Sequence, residues 1–185
     1  MNYWLKIGLA LCAIWAIAGG AIYLARSQKP TAQSISAYVG NNDINSKTGP
    51  DRQKVIDRVT GMLNRITLDE REELRREHVT DRFFRSLTPE EQSAFLDATL
   101  PTGFRQMMDA FNKMDPAKRK ELVDRTLDEM RKHEGEQPPP DMDEKNMQKI
   151  VNQGLRSFYS DADADVKLDL APVIEQMQKN LQNSR

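Results

Sequence analysis

Cysteine occurs once in the 185 residues, and that one, Cys12, lies inside an apolar run near the N-terminus. The rest of the chain therefore has no disulfide framework and no thiol chemistry, which suits a reducing or an oxidising compartment equally well. Histidine occurs twice, His78 and His133, 55 residues apart, so no pair stands at metal-ligand spacing. Aromatic residues make up 6% and glycines number nine, and no Gly-rich phosphate loop, dinucleotide fingerprint, nucleophile elbow or Cys/His cluster is present. Basic excess is missing too, since the net charge is −1, and this argues against a nucleic-acid partner. No catalytic residue and no cofactor follow from these absences, and the expectation is a protein that is not an enzyme.

The first acidic residue is Asp43, and before it stands Ile7 to Ala25, 19 residues without a charge. As a helix that run covers roughly 30 Å, the thickness of a bilayer core. Tyr3, Trp4 and Tyr23 suit the interfacial aromatic belts, and Lys6, Arg26 and Lys29 can snorkel at the ends. Residues 1–27 are expected to form an uncleaved single-pass transmembrane signal anchor. A cleavable signal peptide is the alternative, with Gly19–Gly20–Ala21 as its exit; a lipoprotein anchor is disfavoured by Leu11 before Cys12. A short N-terminal tail followed by a long domain resembles a bacterial signal anchor. The expected location is the bacterial inner membrane, with the C-terminal domain periplasmic. Gly8, Cys12, Ala16 and Gly20 recur every four residues, a stripe that would let two membrane helices approach closely and support a homo-oligomer.

Residues 28–50 are rich in Ser, Asn, Thr, Gly and Pro and read as a flexible tether, with a short helix at "TAQSISAYV". From Asp51 the apolar period is helical. Val55, Ile56, Val59, Met62, Leu63 and Ile66 share one face, as do Phe104, Met107, Met108, Phe111 and Met114. Leu122, Val123, Thr126, Leu127 and Met130 make a third stripe. Strand-like alternation is absent, so the expected fold is all-α, an irregular helical bundle over residues 51–133. "EQPPP" interrupts the pattern, and residues 134–141 read as a Pro-rich spacer before a C-terminal helical pair, 142–185. In that pair Met147 to Phe158 and Val166 to Leu181 carry the apolar faces, and Pro172 kinks or restarts the last helix.

"SLTPEEQSAFLDATLP", Ser86 to Pro101, looks like a signature and resolves into helix punctuation. Thr88 is an N-cap, Pro89 sits at the first helical position, Glu90 and Glu91 face the positive end of the dipole, and Pro101 is expected to stop the helix. Similar starts stand at Thr67, Asp115 and Ser160–Asp163. Phe84, Leu87, Pro89, Phe95, Leu96, Asp97, Thr99 and Leu100 match Phe111, Met114, Pro116, Leu122, Val123, Asp124, Thr126 and Leu127, each pair 27 residues apart. An internal duplication of one helical unit would produce this echo; shared capping rules would produce it as well.

Asp161, Asp163 and Asp165 have the spacing of calcium-loop positions 1, 3 and 5. Val166 stands where the loop needs glycine and Pro172 where it needs glutamate, so they read as acids at a helix start. Met107, Met108 and Met114 read as core rather than copper ligands, because they share their face with Phe104 and Phe111. That same face, Phe104, Met107, Met108, Phe111 and Met114, is also the candidate partner-binding surface. Leu87, Thr88 and Gln92 stand as LTxxxQ, one residue longer than the LTxxQ of the Spy-like periplasmic chaperones, and no second copy exists. The leading expectation is a non-catalytic interaction or accessory module anchored at the bacterial cell envelope, with other membrane or envelope proteins as partners. A periplasmic helical chaperone or a metal-responsive protein are the alternatives.

Overall fold

The computed structural model describes residues 29–132 and 144–183, with side chains up to residue 179. Among them are eight α-helices and no strand, so the fold is all-α. None of these helices is long and apolar enough to cross a membrane. The expected anchor and its stripe of Gly8, Cys12, Ala16 and Gly20 lie outside the described residues, as does the spacer at 134–141.

The tether is the first correction. Residues 32–46 are folded into a core. Helix α1, Ala32–Asn41, opens on a capping box in which Ser34 N–H donates to Thr31 Oγ1 at 3.2 Å and Thr31 N–H to Ser34 Oγ at 2.8 Å. Ala32 and Ile35 are fully buried, and Ile44, in a 3₁₀ turn at Ile44–Ser46, joins them. The Glu70 carboxylate accepts from the Ala32 N–H. Composition suggests a linker because large apolar residues are few here. Ile35 and Ile44, with Ala32 and the partly buried Tyr38 and Val39 on the same core, suffice to dock the segment.

Four further helices complete this first core: α2, Gly49–Leu63; α3, Leu68–Arg76; α4, Val79–Arg85; and the first half of α5, Pro89–Lys113. Val55, Ile56, Val59, Met62, Leu63 and Ile66 are all buried, as their spacing predicts. Phe95 brings α5 in, its ring 5.7 Å from Phe83 and 6.2 Å from Phe84. Arg52 locks the arrangement. It grips both Glu91 carboxylate oxygens at 2.7 Å and donates to the carbonyls of Ile44 (2.8 Å) and Ser86 (2.7 Å). The α3–α4 corner turns at His78, whose φ of 54° is left-handed.

Helix α5 does not stop at Pro101. It runs 25 residues, about 37 Å at 1.5 Å per residue, and its second half belongs to another core. Proline removes one N–H from the ladder and leaves carbonyls a turn earlier under-satisfied. The carbonyl it leaves without its ladder partner is that of Asp97, and Asn64 Nδ2 bonds the adjacent Ala98 O at 2.8 Å. Pro172 is likewise carried inside a helix.

The second core combines α5 with α6 (Pro116–Lys132), α7 (Glu144–Asp161) and α8 (Ala164–Asn183). Met108, Val123, Leu127, Phe158, Ala162, Val166 and Leu170 are its buried apolar side chains. Helix α7 lies along α5 and α8 along α6, each in the same direction as its neighbour: Lys149 then Gly154 meet Ser93 then Phe104, and Asp165 then Lys179 meet Arg119 then Arg131. The register is fixed at three levels. Lys149 Nζ binds Ser93 Oγ (2.7 Å) and the Asp97 carboxylate. Gly154 faces Phe104. Asn112 clamps the α7–α8 corner, donating to Asp161 O and accepting from Asp163 N–H, both at 2.9 Å. Two helical hairpins are thus stacked in parallel. The division between the two cores falls inside α5, not at the spacer between 51–133 and 142–185, because the C-terminal pair buries its apolar faces on α5 and α6.

One corner recurs throughout. Four residues after the residue that precedes a helix, a side chain reaches back to the carbonyl four residues before it. Arg52 does so to Ile44 (2.8 Å), Arg71 to Leu63 (2.6 Å), Gln92 to Phe84 (3.1 Å), Arg119 to Phe111 (3.2 Å) and Lys167 to Tyr159 (2.8 Å). The central residues are Thr48, Thr67, Thr88, Asp115 and Asp163. Each bond adds a side-chain donor to a carbonyl at the end of one element and fixes the angle at which the next helix leaves. Gln92 and Arg119 stand 27 residues apart, as do the hydroxyl bonds Thr99 to Phe95 O (2.7 Å) and Thr126 to Leu122 O (2.9 Å). The same corner recurs at Thr48, Thr67 and Asp163, outside that register, so the corner itself is not confined to the 27-residue echo.

Candidate functional site

Between the stacked hairpins lies a cavity of about 260 Å³. Helix α5 contributes Phe104, Met107, Met108 and Phe111; α6 contributes Leu122, Val123 and Thr126; α7 contributes Gly154 and Phe158; and α8 contributes Leu170, Val173, Ile174 and Met177. Each set follows helical spacing, because side chains three and four apart share one face. Met108, Val123, Phe158 and Leu170 are buried and form the floor. Phe104, Met107, Phe111, Val173, Ile174 and Met177 are half-buried and form a rim.

Four of the five residues of the candidate partner face line this cavity. Met114 does not: it is the residue at which α5 ends, its N–H donating to Phe111 O at 3.1 Å. The rest of the wall comes from α6, α7 and α8, whose apolar stripes are visible in the sequence but whose convergence is not. Gly154 has no periodic signal at all. A Cβ there would lie 3.2 and 3.3 Å from Cε1 and Cζ of Phe104, so its absence is what admits the ring.

No lining residue is ionisable. The one hydroxyl, Thr126, donates to Leu122 O. Charge is gathered beside the cavity, at the shared corner end of the hairpins. Arg119 has only 3% of its side chain exposed and bonds Asp169 at 2.6 Å and Asp165 at 2.7 Å. The hydrogen bonds to Asp169 and then Asp165 hold its guanidinium above the usual arginine value, and the bond to Arg119 holds the Asp165 carboxyl below the usual aspartate value. Arg71 differs. It bonds Gln106 Oε1 (2.8 Å) and Leu63 O, and burial pushes its pKa down.

The "DADAD" acids do not converge. Asp163 starts α8, Asp165 binds Arg119, and Asp161 offers its carbonyl to Asn112. His78 pairs with Asp81 at 3.0 Å on the surface. Among the described residues no three His, Cys, Asp or Glu side chains stand close enough to hold a metal ion. What the arrangement can do is enclose apolar matter; its lining has no group that moves a proton. Arg119 escaped the sequence reading because a lone arginine in a charged helix has no signal until its two aspartates, some 50 residues away, are placed. No family model, curated protein or solved structure matches the chain.

Proposed function

We propose that this chain is a non-catalytic binding module of the bacterial cell envelope, held at the inner membrane by the apolar run at 7–25 with its helical domain on the periplasmic side. The cavity between the stacked hairpins holds an apolar group of whatever the module binds. The carrying observation is the wall itself: thirteen residues from four helices, none ionisable, with Met and Phe on a half-buried rim. Docking of α1 sharpens the membrane part. Only residues 26–31 separate the apolar run from Ala32, and six residues reach at most about 20 Å. The domain would work against the bilayer surface, where effective concentration toward membrane components is high. Pairing through Gly8, Cys12, Ala16 and Gly20 would make two such domains neighbours.

A photocrosslinking amino acid at position 107, on the rim, tests the reading in the full chain in its own membrane. Position 168, where Leu168 is 77% exposed away from the cavity, is the control. Adducts from 107 well above those from 168 support a guest in the cavity; equal or absent adducts end the reading. Protease accessibility on spheroplasts tests the side of the membrane, and a domain protected until lysis would reverse the orientation.

A further inference from the structure

Resting on that reading, we propose that the guest is a single straight aliphatic chain: the acyl chain of a fatty acid or of a membrane lipid. Chemistry sets the first limit. The wall has no ionisable group, and its one hydroxyl proton is committed to Leu122 O, so a polar guest would bury its donors unpaired. Shape sets the second. The lining runs from Phe104 to Phe111 on α5 and from Leu170 to Met177 on α8, two turns each. At 1.5 Å per residue the slot is about 10 Å long. A volume of about 260 Å³ over that length leaves a cross-section of about 25 Å², roughly 5 Å wide. A file of carbon atoms, touching neighbours at about 3.5–4.0 Å, fits that width. A partner helix, about 10 Å across with its side chains, does not.

Length follows from the same span. A slot about 10 Å long takes only the end of an extended chain, and the rest of a longer chain would stay outside with its head group. Met107, Met108 and Met177 give the walls unbranched side chains that adapt to a flexible guest. Apart from Thr126 no polar side chain lines the slot, so the chain and not its head group should set the affinity.

The experiment uses the full chain in nanodiscs. One arm carries a diazirine at the end of a free fatty acid, the other at the end of a phospholipid acyl chain, and adducts are mapped by mass spectrometry. Adducts on the cavity wall are expected in at least one arm, and the arm that labels names the source. Unlabelled straight-chain alcohols should protect with half-effective concentrations falling about fourfold per carbon until the chain fills the slot, then levelling off. An acid and an alcohol of equal length should agree within about threefold. Val173→Trp on the rim should cut labelling more than tenfold with an unchanged melt; if it unfolds, Met107→Trp replaces it. Adducts confined to residues 7–25, protection without chain-length dependence, or equal protection by a cyclic alcohol of the same carbon number would each overturn the inference. If position 107 still crosslinks a guest while acyl probes fail, the broader reading survives and the acyl chain falls. If 107 captures nothing, both fall.

Discussion

Replacing Ile35 by alanine decides whether α1 belongs to the core. Ile35 is 0% exposed and packs with Ile44, Val59 and Leu74 in the first core. Truncation removes three carbons, a transfer loss of about 2.4 kcal/mol at about 0.8 kcal/mol each. The hole left behind, roughly 80 Å³ before relaxation, adds up to about 2 kcal/mol at about 24 cal/mol per Å³. Partial collapse brings the sum to about 3–4 kcal/mol. With a urea slope of about 2 kcal/mol/M, the midpoint should fall by about 1.5–2 M. The assay is urea unfolding of the full chain in nanodiscs followed by circular dichroism, with Gln33→Ala, on the exposed face of the same helix, as control. A shift for Ile35→Ala no larger than that of Gln33→Ala, within about 0.3 M, would refute the docking of α1 and restore a tether.

Three other substitutions probe the corners and the cavity. The hydrogen bond from Arg52 holds the Glu91 carboxyl below its ordinary value of 4.5, so its ionised form stabilises the fold above that pH and the contribution disappears as pH falls through the lowered value. The advantage of wild type over Glu91→Gln in urea midpoint should therefore be full at pH 6 and vanish in acid; a constant gap across pH would count against the ion pair. Gly154→Ala should be neutral or destabilising alone, because the added Cβ meets Phe104 at 3.2 Å, yet stabilising by about 1 kcal/mol in a Phe104→Leu background, where helix propensity acts unopposed. Additive effects in that double-mutant cycle would show that the ring does not rest on the glycine. His78→Gly relieves a left-handed φ of 54° and should raise stability by about 0.5 kcal/mol in a thermal melt, a gain trimmed by the freer unfolded chain; a loss would mean that the exposed bond to Asp81 matters more.

The helical class and most of the first core were legible because period and burial coincide. Val55, Ile56, Val59, Met62, Leu63 and Ile66 share a face in the sequence and are all buried in the fold. The capping at Thr88, with Glu91 reaching back to its N–H at 2.8 Å, was legible for a similar reason: it is decided within four residues. What failed were judgements that depend on partners far along the chain. Ala32, Ile35 and Ile44 are too sparse to look like a core element, and only the helices they dock on make them one. Pro101 reads as a stop, yet α5 continues because tertiary packing on both cores outweighs one missing hydrogen bond, and Asn64 bonds the nearby Ala98 carbonyl. The candidate face Phe104 to Phe111 was found as a stripe, but a stripe has no depth. It becomes a cavity because α7 and α8 return in parallel register, and that register is set by Lys149, Gly154 and Asn112, none of which belongs to any apolar pattern. The recurring corner shows the same limit from the other side. Its two ends stand at a fixed spacing of eight residues, so it is written in the sequence five times. Its donor is Arg, Gln or Lys and its acceptor is a backbone carbonyl that any residue supplies, so letter matching registers only the pair at Thr88 and Asp115.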